Sequence, residues 1–344
     1  MENEKEVRVI GNASDEQKEQ ARKRVEKTLS DPESAFSEAA KEKLARLEYP
    51  KSKEEIEIIR FINERLKSLM KECGAEPYDI SAENFHILPP DLYHEMNNNE
   101  DNHASAVIYQ QKVLIDADSV RGNLLFFASL AAHESAHLRG HLALEVNESP
   151  QSGHFDETRY RRGWTVGSSR KKKEEGEGHS HFMGVHEAIA TMVQKNMIGE
   201  ILELPLFADE KELRESETWG KVKALVSEIK KIPEDDIIWV NPKNLEEGES
   251  YGYPAQRKTL EYVFFEVQKQ FPEQYKTADD VYQEFLKAQF TGQMLSVARM
   301  IEKTFGEGSF RTLGNMDKGE NSGIITLEAL KKARMRTLRD AEQQ

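Results

Sequence analysis

The sequence predicts an α+β protein whose two ends are largely helical. Three observations carry that prediction. Residues 14 to about 75, and most of the chain after about residue 206, are rich in strong helix formers. Between them, "NFHILPPDLY", "ASAVIY" and "VLID" are short runs of β-forming residues, punctuated by proline and polar residues. A long apolar segment from about Ser119 to Glu145 follows directly, which sets a small sheet beside a buried helix.

The elements follow in order. "SDEQKEQARKRVEKTL" opens on Ser14, an N-cap residue, and continues in helix formers. "SKEEIEIIRFINERLKSLMKE" places Ile56, Ile59, Ile62, Leu66 and Met70 on one stripe at helical spacing, a packing face. "NFHIL" reads as a strand stopped by Pro89 and Pro90. "ASAVIY" and "VLID", separated by polar "QQK", read as a hairpin. Residues 146–182 read as irregular. Within them "RYRRGWTV" resembles a strand, and "GSSRKKKEEGEGHSH" is a charged, glycine-rich tip. "FMGVHEAIATMVQKNMIGEIL" is a second strong helix, with Met183, Ile189, Met192, Met197 and Ile198 as its expected core residues. Beyond residue 206, four further stretches read as helices. The expected organisation is a helical 1–78, a central unit over 79–205, and a helical 206–344, with no internal repeat.

Composition narrows the function. Asp and Glu number 62 against 48 Lys and Arg, so an anionic polymer or membrane surface is a poor partner. The longest apolar run, Leu124 to Ala132, falls far short of the roughly 20 residues of a membrane span. "MENEKEVRVIGNASDEQ" lacks the charged-then-apolar pattern of a secretory signal. The single cysteine, Cys73, rules out an internal disulfide, fits a reducing compartment, and reads as a small buried thiol. The expectation is a cytoplasmic protein. "NNNEDNH" (97–103) offers oxygen atoms, but its spacing is not that of an EF-hand, and it reads as a polar loop.

The chemistry is concentrated in "AAHESAHLRGHLA". His133, Glu134 and His137 form H-E-x-x-H. On a helix, positions i and i+4 point the same way, so two imidazoles reach one ion, while Glu134 is rotated by about 100° and can face a water without ligating. His141 is different. On a straight helix it lies about 12 Å along the axis from His133, far beyond a zinc–nitrogen bond of about 2.0–2.1 Å. A metzincin would bend the chain at Gly140 and place its third histidine three residues on, but Ala143 stands there. His141 therefore reads as a group beside the site or on the helix surface.

A catalytic zinc site takes three protein ligands. Downstream candidates are His154, Asp156, His179, His181, His186 and Glu187. Glu187 is favoured: it lies early in a helix, with Thr191 one turn later on the same face to support a ligand by hydrogen bonding.

"HESAH" followed by "FMGVHEAIAT" resembles the gluzincins, zinc peptidases that take two ligands from H-E-x-x-H and a glutamate from a later helix. "NFHILPPDLY" with "AVIYQQKVLID" is similar to the zincin strands that precede the active helix. The resemblance covers about residues 80–200 and does not reach the first 75. It implies a zincin-like fold, a small mixed sheet plus an active-site helix, and Zn2+ held by His133, His137 and Glu187, with Glu134 as general base. It also implies that the last of those strands is the edge on which an extended peptide or protein substrate pairs. Thr191 stands where thermolysin-like members carry an acidic residue, which marks a divergent member.

An oxyanion donor is also expected. Tyr253, next to a helix start, is preferred over Tyr251, with His181 and His186 as rivals. The active cleft is expected between residues 80–205 and the C-terminal helices. Two other functions fit the same residues: a regulatory peptidase that cleaves one partner protein, and a non-enzymatic helical interaction protein with a vestigial zinc site. The intact Glu134 speaks against the latter.

Overall fold

Two apolar helices form the centre because their sequences leave little polar face. The computed structural model describes residues 7–30, 37–97, 102–108, 111–149, 155–167, 180–241 and 244–342. In chain order its principal elements are β1 (Val7–Ile10), α1 (Asp15–Ser30), α2 (Glu38–Leu47), α3 (Lys53–Glu72), β2 (Phe85–Leu88), α4 (Pro90–Met96), β3 (Ala104–Val107), β4 (Lys112–Asp116), α5 (Ala117–Val120), α6 (Leu124–Leu138), β5 (Leu142–Glu148), β6 (Phe155–Arg162), β7 (Thr165–Gly167), β8 (Ser180–His181), α7 (Met183–Ile201), α8 (Ala208–Glu215), α9 (Glu217–Lys230), β9 (Ile237–Asn241), β10 (Asn244–Ser250), α10 (Pro254–Gln270), α11 (Ala278–Thr291), α12 (Leu295–Phe305), α13 (Ser309–Gly314) and α14 (Glu320–Glu342).

The fold is mixed α+β. Helices α6 and α7 pack side by side, and α3 lies against α6. α3 starts in a capping box: Glu55 N–H donates to Ser52 Oγ (3.1 Å), and Ser52 N–H donates to Glu55 Oε2 (2.7 Å). Its buried stripe is Ile58, Ile59, Ile62, Leu66 and Met70. Ile58 thus replaces Ile56 of the predicted face, and Ile56 is only partly buried. One core cluster draws residues from Val7 to Leu330, so the segments before 78 and after 206 share it with the central unit. Burial pushes the Cys73 thiol up to about 11, which keeps it protonated and inert at neutral pH. Among the described residues no helix is long and apolar enough to cross a membrane.

The sheets depart from expectation in four ways. The predicted hairpin of β3 and β4 forms, but β4 is the central strand of the order β2-β4-β3, parallel to β2 and antiparallel to β3. The edges are therefore β2 and β3, not the "VLID" strand, and β3 is the one that lines the cleft. The predicted helix to Glu145 stops at Leu138: Gly140 N–H turns back to His137 O (3.1 Å), and His141 N–H crosses to Gln289 O (2.8 Å). "LALEVNE" then runs as β5, between β1 and β6 in a five-stranded sheet of order β1-β5-β6-β7-β8. "RYRRGWTV" is two strands, β6 and β7, folded about Gly163. Finally, β1 and the hairpin β9–β10 lie in segments expected to be helical.

That second hairpin and the turn after it form a wall of the cleft. Asp236 and Arg257, both buried, pair through two bonds of 2.9 and 2.7 Å, and Arg257 Nε also donates to Gly252 O (2.9 Å). Burial alone would raise Asp236, but Arg257 and Lys195 hold its carboxyl below the usual range. The clamp fixes the Gly252–Tyr253 turn, in which Tyr253 takes a left-handed φ of 56° before Pro254 opens α10.

Candidate metal centre

α6 and α7 each bring side chains to one point. His133 and His137 lie one turn apart on α6, and Glu187 lies in the second turn of α7. His133 Nε2 and His137 Nε2 are 3.0 Å apart. Glu187 Oε2 lies 3.2 Å from the second and 3.5 Å from the first. A tetrahedral ion with bonds of about 2.05 Å requires ligand atoms about 3.3 Å apart. The observed triangle has that size. These three side chains are a group that could hold a metal ion.

The imidazoles are also oriented for that task. His133 Nδ1 lies 3.2 Å from Gln194 Oε1, and Gln194 Nε2 donates to Ser129 Oγ (2.7 Å). With the amide oxygen facing His133, Nδ1 is the nitrogen that donates to it. His137 is set by a longer chain. Gln289 Oε1 accepts Trp164 N–H (3.2 Å) and lies 3.2 Å from His186 Nδ1, so that nitrogen is the donor. His186 Nε2 is then an acceptor, 2.9 Å from His137 Nδ1, which must donate to it. Both histidines thus turn Nε2 toward Glu187. Two imidazole nitrogens and a carboxylate oxygen at this spacing need a shared cation among them, a proton or a metal ion.

Burial pushes His186 well below the ordinary histidine range, and the neighbouring His137 adds to the effect. A neutral His186 is what the relay needs. His137 is likewise lowered by burial, with Glu187 opposing. His133 is raised in spite of burial by its bond to Glu187 and the charge of Glu134. Glu187 lies well below the usual carboxylate range despite burial, held there by His137, His133 and Lys318. Replacing His186 by Phe should keep the buried volume and remove the acceptor. Zinc affinity is expected to fall about 10–100-fold, measured by chelator competition, whereas an unchanged affinity would show that the relay does not orient His137.

Around this centre lies a cleft of about 670 Å³. β3 with His103, Phe126, Glu134, the hairpin residues Ile238 and Glu249, Tyr253 and Lys318 line it. Its far wall is thus a hairpin and two turns rather than the faces of C-terminal helices. Glu134 is 8% exposed on this surface. Of the expected oxyanion donors, Tyr253 lines the cleft. Tyr251 does not; it is buried, with Lys195 over its ring at 5.6 Å, and burial lifts its phenol to about 12. His181 sits exposed on β8, away from the cleft, and His186 belongs to the relay. Thr191 bonds the backbone of its own helix, Oγ1 to Glu187 O at 2.9 Å, so it supports no ligand side chain. His154, His179, residues 98–101 of the asparagine-rich loop and 168–179 of the charged tip lie outside the described residues.

Three groups at this centre escaped the sequence reading. Gln194 had a signal: it is seven residues after Glu187, on the same helix face. Gln289 and Lys318 had none, since each reaches the centre from more than 100 residues beyond Glu187. Set against known protein families, curated proteins and solved structures, the chain matches none of them.

Proposed function

We propose that the protein is a zinc-dependent peptidase of the gluzincin type. One observation carries the reading: two histidine nitrogens and one glutamate oxygen form a triangle of tetrahedral size on the floor of an open cleft. His133, His137 and Glu187 would hold the ion. The ion supplies Lewis acidity, polarising a carbonyl and bringing the pKa of water toward about 7. Glu134, one residue from a ligand and facing the cleft, takes the proton of the attacking water on its carboxylate and returns it to the leaving nitrogen. Tyr253 is the cleft-facing phenol suited to donate to the developing oxyanion.

The substrate reading follows from β3. As an edge strand beside α6, it leaves one row of backbone donors and acceptors toward the cleft, and an extended peptide can add to that row. Peptides or unfolded protein segments are the substrate class this favours.

The test is direct. Purified protein should carry about one zinc per chain, cleave unstructured peptides, and lose activity to a chelator and regain it with zinc. Protein without stoichiometric metal after zinc loading would sink the proposal.

A further inference from the structure

The two carboxylate oxygens of Glu187 have different neighbours. Oε2 faces the two histidine nitrogens. Oε1 lies 2.7 Å from Nζ of Lys318, a residue on the wall of the same cleft. Taking the centre as the zinc site argued above, we propose that Lys318 is a positioning residue that restricts Glu187 to one-oxygen ligation and so preserves an open coordination position.

The placement of Lys318 is over-determined. It lies between α13 and α14, in a segment tied to the start of α7: Phe182 N–H donates to Gly314 O (2.6 Å), and Gly184 N–H donates to Met316 O (2.8 Å). The approach is so close that a Cβ at Gly184 would lie 2.4 Å from Asp317 O. From the other side, the buried Gln256 donates through Nε2 to Asp317 O (3.0 Å) and to Gly319 O (2.8 Å). The carbonyls on both sides of Lys318 are therefore held by one amide. Its backbone is fixed relative to the helix that carries Glu187, and the ammonium reaches Oε1 from the cleft side. Glu187 is almost fully buried while Lys318 is 46% exposed, so the cation has left part of its hydration to meet this carboxylate.

The chemistry gives that contact a role. A carboxylate can offer a zinc ion one oxygen or two, and a second oxygen fills space that a catalytic site keeps open. An ammonium is a compact point charge, well suited to compete for the second oxygen. Because it repels the ion while restraining its ligand, removing it should not weaken metal binding. That sign separates a denticity restraint from a group that merely holds the site together.

The experiment replaces zinc by Co2+ in the full-length protein and reads its visible bands, which report coordination number. Wild type should show the intense bands of a four-coordinate ion. Lys318→Met should bind Co2+ as tightly or more tightly, yet lose roughly half the intensity as a fifth ligand atom enters. Lys318→Arg should restore the wild-type spectrum. Unchanged melting temperatures would show that the half-exposed position does not disturb folding. An unaltered spectrum in Lys318→Met, or a loss of metal from it, overturns the proposal. A wild type that binds neither Co2+ nor Zn2+ overturns the metal centre and this assignment together. Failure of the peptidase reading looks different: the metal binds and the spectra behave as described, but no peptide is cleaved.

Discussion

Replacing Glu134 by Gln is expected to lower peptide turnover about 10³-fold while leaving the zinc content at wild-type level. The amide keeps the size of the side chain but cannot accept the proton of the attacking water. Glu134 makes no ion pair or hydrogen bond among the described residues, and it faces the cleft rather than the His133–His137–Glu187 triangle. Its loss should therefore fall on kcat. Metal analysis beside steady-state kinetics checks both halves. A variant that retains wild-type turnover would remove Glu134 from the mechanism; one that loses its zinc would make it a ligand instead of a base.

Glu187→Ala is expected to have the largest effect on the metal itself. It deletes one of three donors and leaves His133 and His137 with two bare nitrogens 3.0 Å apart. Changes to groups that only support ligands typically cost 10–100-fold in affinity, so losing a ligand should cost more than about 100-fold. The comparison with His186→Phe is informative because His186 touches only His137 and Gln289 among the ligands and their supports. A ranking in which His186→Phe loses more zinc than Glu187→Ala would reassign the third ligand to that histidine.

The parts of the centre that could be read from the sequence are those fixed by one turn of helix. His133 and His137 meet because i and i+4 share a face, whatever the rest of the chain does. Glu187 was accessible through its place early in a second apolar helix. Where the reading failed, the deciding contact was distant. "LALEV" continues an apolar run, and its strand character becomes decisive only when Val7–Ile10 and Phe155–Arg162 pair on either side of it. The order β2-β4-β3 depends on β2 pairing with β4 rather than with β3, which local propensity does not encode. His141 does not lie two turns up a helix, as a straight continuation predicts, but beyond the helix end, with its ring against Gly292. Gly163 has the same lesson. Its φ of 52° and a would-be Cβ only 2.4 Å from Gln289 Oε1 leave room for no side chain beside the relay.

The relay and the Lys318 contact also impose a schedule on the newly made chain. All three side chains of the candidate metal centre have been synthesised by residue 187, but Gln289, which sets the tautomer of His186 and through it that of His137, comes 102 residues later. Lys318 follows Glu187 by 131 residues. At 5–20 residues per second this is a delay of roughly 7–26 s on the ribosome. Until Gln289 is made the nascent chain carries His133, His137 and Glu187 with neither restraint, and the proposed centre is complete only once Lys318 has followed.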